Sequence, residues 1–160
     1  MKPASRYKIA VRTQAPEVTP VTAMPSKQNG QRLIQRKSIL VVDDEPGVVA
    51  VLMEVFSEDG YAVDAAPNGQ EALKKLQELA FDVIVCDIRM PKMDGITFYR
   101  LIAQQEPDLL ARWIFLTGDI LNPRTHDFLQ QLATPVLEKP FEIRKVREAV
   151  RRILQASEGS

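Results

Sequence analysis

Three features of the sequence predict an α/β fold for residues 38–156, a doubly wound, three-layer parallel sheet of five βα repeats. Short apolar runs alternate with longer segments of helical period five times over. The first and third runs, ILVV and VIVC, are uninterrupted, as in strands buried on both faces. About 120 residues are also too few for the eight repeats of a closed barrel, so the sheet is open, with helices on both faces.

Each element has its own justification. Strands are read over 38–42 (SILVV), 61–66 (YAVDAA), 82–86 (DVIVC), 112–116 (RWIFL) and 134–138 (TPVLE). The second interleaves small and polar residues, which suits an edge strand. Helices are read over 46–59, 69–79, 95–106, 122–132 and 142–156. Pro46 suits the first turn of the first helix, and Asn68-Gly69 after Pro67 is a turn leading into the second. Asp94-Gly95 opens the third, and Asn122-Pro123 gives the fourth an N-cap followed by proline at its first position. In the last helix Ile143, Val146, Val150, Ile153 and Leu154 form one apolar stripe, with Arg144, Lys145, Arg147, Arg151 and Arg152 around it.

Composition narrows the class. With 45% hydrophobic and 26% charged residues the chain is globular, and no apolar run approaches the ~20 residues of a membrane span, so a soluble, cytoplasmic protein is expected. Cys86 is the one cysteine, so no intramolecular disulfide forms and a reducing compartment fits; it lies in an apolar run and reads as core. His126 lacks a Cys or His companion for a soft-metal site and reads as a surface histidine. The zero net charge hides a split. Residues 1–37 hold eight Lys/Arg against the single acid Glu17, leaving 13 bases against 20 acids in the remainder. Proline-interrupted and polar, that basic segment is expected to be a disordered leader or linker, with 157–160 as a short tail.

The chemistry is expected where the strands end. In ILVVDDEPG an apolar strand runs into three consecutive acids. One bland account makes Asp44 or Glu45 the helix cap and Asp43 a solvated loop acid. The other strand ends argue for more: VIVC is followed by Asp87, WIFL by Thr117 and PVLE by Lys139. Four strands thus deliver acids, a hydroxyl and an amine to one edge of the sheet, where an open α/β sheet forms its binding crevice. Carboxylates converging there repel unless a hard cation neutralises them, and Mg²⁺, with its preference for oxygen ligands, fits. One carboxylate is then able to attack a phosphoryl group to give an aspartyl phosphate. The cation, the Lys139 ammonium and the Thr117 hydroxyl provide one partner for each phosphoryl oxygen.

Together VVDDEPG, VIVCDIRMPKMDG, FLTGD and LEKPF, in this order and spacing, resemble the receiver domain of bacterial two-component response regulators, over about residues 37–156. The resemblance implies a flavodoxin-like fold with strand order 2-1-3-4-5 and makes Asp87 the phosphoacceptor, with Thr117 and Lys139 completing the catalytic set. It implies Asp44 as the direct Mg²⁺ ligand, Asp43 acting mostly through water, Asp87 itself, and the backbone carbonyl of Arg89. It also implies a cis Lys139-Pro140 peptide. The expected donor is a phosphohistidine on a sensor histidine kinase or histidine phosphotransfer protein, with self-catalysed transfer and hydrolysis rather than turnover of a substrate. Two departures stand out. The family usually carries Tyr or Phe three residues before the lysine as a switch coupled to the threonine, and Val136 stands there. The last helix is followed only by QASEGS, so no DNA-binding domain is expected and output is expected through protein contact or onward transfer to an unidentified target.

Rivals fit less well. A C-terminal receiver portion of a hybrid sensor histidine kinase, with residues 1–37 as linker, keeps the same domain in another setting; Met1 favours an independent chain. An aspartate-nucleophile phosphatase of the haloacid-dehalogenase type wants an acid two residues after the nucleophile, where Arg89 stands. A flavin or nucleotide carrier wants a Gly- or Ser/Thr-rich loop after the first strand, and DDEPG repels a phosphate that lacks a metal.

Overall fold

The protein, studied as a computed structural model, is described over residues 35–160; most of the expected disordered leader lies outside the described residues. Five parallel strands, β1 (Ser38–Val42), β2 (Ala62–Ala66), β3 (Val83–Asp87), β4 (Trp113–Thr117) and β5 (Val136–Glu138), form one sheet in the order β2-β1-β3-β4-β5. The expected fold class and strand order are both observed. The helices are α1 (Pro46–Glu58), α2 (Gly69–Glu78), α3 (Gly95–Gln105), α4 (Pro123–Gln130) and α5 (Ile143–Glu158). None is long and apolar enough to cross a membrane.

Side-chain alternation along the strands builds two cores. Ile39, Val41, Val83, Val85, Ile114 and Leu116 cluster with Leu52 and Phe56 of α1 and Val146 and Val150 of α5. Their neighbours Leu40, Val42, Ile84, Cys86, Trp113 and Phe115 cluster with residues of α2, α3 and α4. Because both faces of the three central strands are covered, continuous apolar runs were required there. The outer strands β2 and β5 are only partly buried.

Several boundaries differ from expectation, each for a local reason. Asp87 and Thr117 are the last residues of β3 and β4, not the first beyond them, because ladder pairing continues through them to Leu116 and Glu138. Strand β5 is shorter than expected. Helix α4 ends at Gln130, and Leu132 N–H bonds the Leu129 carbonyl in a tightened final turn. A 3-10 helix over Pro107–Arg112, absent from the sequence reading, fills the link between α3 and β4. The start is better anchored than expected: Arg36 donates to the Gly60 and Tyr61 carbonyls, and the Lys37 carbonyl accepts from Ala62 N–H.

Asn122 is the N-cap that the sequence predicts, and Asn68 and Asp94, read as a turn residue and a helix opener, cap their helices as well. Asn68 Oδ1 accepts from Glu71 N–H, Asp94 Oδ1 from Thr97 N–H, and Asn122 Oδ1 from Arg124 and Thr125 N–H. Helix α1 ends in a Schellman motif, with Gly60 at φ 90°, Gly60 N–H on Ser57 and Tyr61 N–H on Phe56. That stop turns the chain directly into β2.

Topology then sets the site. The chain passes from β1 outward to β2 and returns across β1 to β3, so β1 and β3 flank the point where winding reverses. Val42 pairs with Cys86, which brings the following residues, Asp43 and Asp87, to the same level. Gly95 lets α3 start against the end of β3: its N–H donates to the Ile88 carbonyl, and a Cβ there would overlap the Asp87 carbonyl. Gly95→Ala is therefore expected to cost about 1–3 kcal/mol in urea denaturation by forcing α3 off the strand end. Gly47→Ala in α1, where no atom lies within 4 Å of an added Cβ, is expected to be neutral or stabilising by up to about 1 kcal/mol.

Candidate functional site

Asp43, Asp87, Thr117 and Lys139, predicted from separate strand ends, meet at the carboxyl edge of the sheet. A cleft of about 920 Å³ opens there, with Asp44, Glu45, Asp87, Arg89, Thr117 and Lys139 among its walls. Carboxylate oxygens of Asp43, Asp44 and Asp87 all lie within 4.8 Å of one another. Asp43 is 3% and Asp87 5% exposed, whereas Asp44 faces solvent.

Two buried carboxylates at such range need compensation, and three groups supply it. Asp43 Oδ1 accepts from Glu45 N–H at 2.9 Å, and Asp87 Oδ1 from Ile88 N–H at 2.7 Å. The Lys139 ammonium stands between them, 2.8 Å from Asp43 Oδ2 and 3.3 Å from Asp87 Oδ2. Lys139 follows β5, its N–H extends the ladder to the Thr117 carbonyl, and its peptide to Pro140 is cis, as the resemblance implied. Compensation is incomplete for Asp87. Burial, and next the charge of Asp43, push its pKa up to about 6 against the pull of Lys139. Burial opposes the Lys139 ammonium too, but hydrogen bonds to Asp43 and Glu45 outweigh it and raise its pKa.

Neither acid plays the part that an ordinary helix start assigns. Asp43 is buried and doubly bonded, not solvated. Glu45 occupies the N-cap position of α1, yet its carboxylate makes no capping bond and reaches Lys139 Nζ at 2.9 Å. The sequence reading missed this partner, since a third adjacent acid looks the same whether it caps, repels or pairs.

On the far side of Asp87, Thr117 is fully buried and its Oγ1 accepts from Asp119 N–H at 3.0 Å. That bond uses a lone pair and leaves the hydroxyl proton available. Asp119 in turn accepts from Thr125 Oγ1 at 3.2 Å and pairs with Arg89 at 3.4 Å. Arg124 of α4 pairs with Asp94 at 3.5 Å, a second strap, from the end of the loop after β3 to the start of α4. The loop after β3 holds a tight turn at Lys92, the one described non-glycine residue with positive φ (65°), with Met93 N–H on the Pro91 carbonyl.

Cys86 is core, as expected: its thiol is buried and burial pushes its pKa well up. His126 sits exposed on α4. Val136, in the place of the family's usual aromatic, is half-buried against the core that holds Tyr99, Phe115 and Phe128. These three rings contact one another at centroid distances of 5.4 to 5.6 Å.

The donor set fits a hard divalent cation: three clustered carboxylates, all oxygen, one exposed so that waters can complete the shell. Comparison with known proteins agrees with the geometry. The family model described as the response regulator receiver domain matches residues 39–151. The chain is 37% identical over 127 residues to the alkaline phosphatase synthesis transcriptional regulatory protein PhoP of Bacillus subtilis, covering 76% of this chain and 50% of PhoP. It is 32% identical over 121 residues to the response regulator receiver protein CpdR of Brucella abortus, covering 76% of this chain and 99% of CpdR. The chain thus spans half the length of one relative and nearly all of the other. Among solved structures, the response regulator protein TrrA of Thermotoga maritima, in complex with Mg(2+)-BeF, matches with a TM-score of 0.63 and 34% identity. That match covers 73% of this chain and 98% of TrrA. With this strand order and a family match running from β1 into α5, the chain belongs to the response regulator receiver domain family.

Proposed function

We propose that the chain accepts a phosphoryl group on Asp87 from a phosphohistidine, carried by a sensor histidine kinase or a histidine phosphotransfer protein, and signals by protein contact or onward transfer. The observation that carries this reading is the position of Asp87: a buried carboxylate at the end of the central strand, sharing the Lys139 ammonium with Asp43 and opening into the cleft.

In the transfer an Asp87 carboxylate oxygen bonds to phosphorus as the phosphorus–nitrogen bond to the histidine breaks, and the electron pair stays on the imidazole nitrogen. Asp43, Asp44, Asp87 and the backbone carbonyl of Arg89 would hold a Mg²⁺ ion, which would supply positive charge to offset that on the phosphoryl oxygens. The Lys139 ammonium, already beside Asp87, pairs with a second oxygen. The Thr117 hydroxyl donates to a third while still accepting from Asp119. Arg89 and Asp119, paired across the mouth of the site, restrict the approach of water to the acyl phosphate. With Val136 in place of a ring, only Thr117 moves toward the phosphoryl group. A near-complete switch needs about 5.5 kcal/mol of differential interaction, so a partial population shift is the expected response.

Three outcomes are expected. Incubation with a small phosphodonor and Mg²⁺ labels the wild type at Asp87 with an acid-stable, base-labile phosphate, and Asp87→Asn abolishes the label; label surviving in that variant transfers the role to Asp43 or Asp44. Arg89→Ala shortens the acyl phosphate lifetime several-fold in a phosphate-release assay, and an unchanged lifetime removes Arg89 from the gate. The third concerns pH. Asp87 binds its proton more tightly folded than unfolded, so its ionisation opposes folding: the cost is absent below the unfolded pKa near 4 and complete above about 6. In metal-free buffer Asp87→Asn therefore raises stability by up to about 3 kcal/mol at pH 7.5, and the gain fades as pH falls from 6 to 4 in denaturant titrations. Mg²⁺ affinity of the wild type drops across the same window.

A further inference from the structure

The third acid of the DDE run does something neither the proposed metal set nor phosphoryl transfer requires. Glu45 stands at the N-cap position of α1, its backbone N–H donates to Asp43, and its own carboxylate takes one hydrogen bond from Lys139. The Lys139 ammonium therefore touches three carboxylates: Asp43 at 2.8 Å, Glu45 at 2.9 Å and Asp87 at 3.3 Å. Two of the three belong to the triad whose oxygens cluster for a cation; Glu45 lies outside that triad. It is also the exposed member, with its side chain 61% accessible against 2% for Asp43 and 7% for Asp87.

This arrangement sets a competition. A monovalent ammonium and a divalent cation seek the same buried oxygens, and two cations a few ångströms apart repel. For the metal to enter, Lys139 has to surrender its contacts with Asp43 and Asp87 without leaving the cleft, because the phosphoryl group needs it there. Glu45 offers the ammonium an anionic place to stand at the exposed rim. Lys139 already stands closer to Glu45 than to Asp87.

Building on the phosphoacceptor reading above, we infer that Glu45 is a positioning residue that tethers the Lys139 ammonium at the cleft rim, so that Asp43 and Asp87 can take up a divalent cation while Lys139 stays in reach of the incoming phosphoryl group. Glu45 touches neither the reacting carboxylate nor phosphorus, and acts through Lys139.

A double-mutant cycle on the full chain tests this, with Mg²⁺ affinity measured by isothermal titration calorimetry in wild type, Glu45→Gln, Lys139→Met and the double variant. The expected result is that Glu45→Gln weakens Mg²⁺ binding about three- to fivefold with Lys139 present, the range of an exposed ion pair, and less than twofold in Lys139→Met. Lys139→Met alone is expected to bind Mg²⁺ more tightly. Equal weakening in both backgrounds means a general charge effect and overturns the tether, as does no weakening in either. Should Lys139→Met not fold, a metal-free crystal structure of Glu45→Gln decides: Nζ is expected nearer to Asp87 than its present 3.3 Å, and an unmoved Nζ overturns the proposal. Phosphodonor labelling of the wild type runs alongside. Unlabelled Asp87 defeats the reading of the site itself, whereas labelled Asp87 with equal losses in both backgrounds defeats only the role of Glu45.

Discussion

Two buried carboxylates, Asp43 and Asp87, held at the same level of neighbouring strands, are the constraint around which the carboxyl edge of this domain is built. Their repulsion is opposed by one ammonium and two backbone N–H groups, and the balance stays short of neutral: burial, and next the charge of Asp43, push the Asp87 pKa up to about 6. Excess negative charge in a cleft walled by apolar strands is a standing attraction for a cation, and an under-compensated carboxylate gains most when one arrives. The fold serves this tension at several points. The sheet register levels the two acids, Gly95 lets α3 begin against the Asp87 backbone, and the chain after β5 brings Lys139 across to meet them.

Much of this was legible in the sequence, and the reasons are specific. Strands β1, β3 and β4 are covered on both faces, so ILVV, VIVC and WIFL had to be apolar throughout, and their polar successors marked the functional edge. Asn68, Asp94 and Asn122 each stood where a helix start needs an acceptor, and each caps one. The pattern failed where tertiary pairing overrides local signal. Asp87 and Thr117 carry polar side chains yet belong to their strands, because the neighbouring strands continue the ladder past the apolar run. Pro107–Arg112 forms a short 3-10 helix whose buried Leu109 gave no periodic signal of its own.

Within the site, residue types and strand ends were readable but the partnership of Glu45 with Lys139 was not. The two lie far apart in sequence and meet only because β5 closes the sheet. Asp119 shows the same limit: its backbone N–H holds Thr117 while its carboxylate holds Thr125 of α4. Any movement of Thr117 is therefore felt at the start of α4. Val136 is half-buried beside Phe115, with Tyr99 and Phe128 filling the space around them, and that hydrogen-bonded route is one physical link from the site to α4.

The most direct test of the account is to locate the cation. In crystals grown with Mn²⁺ as an anomalous scatterer, the account predicts one strong peak among the carboxylates of Asp43, Asp44 and Asp87, with the Lys139 ammonium withdrawn from Asp87. A peak elsewhere, or none at saturating Mn²⁺ with Lys139 still between Asp43 and Asp87, would contradict it.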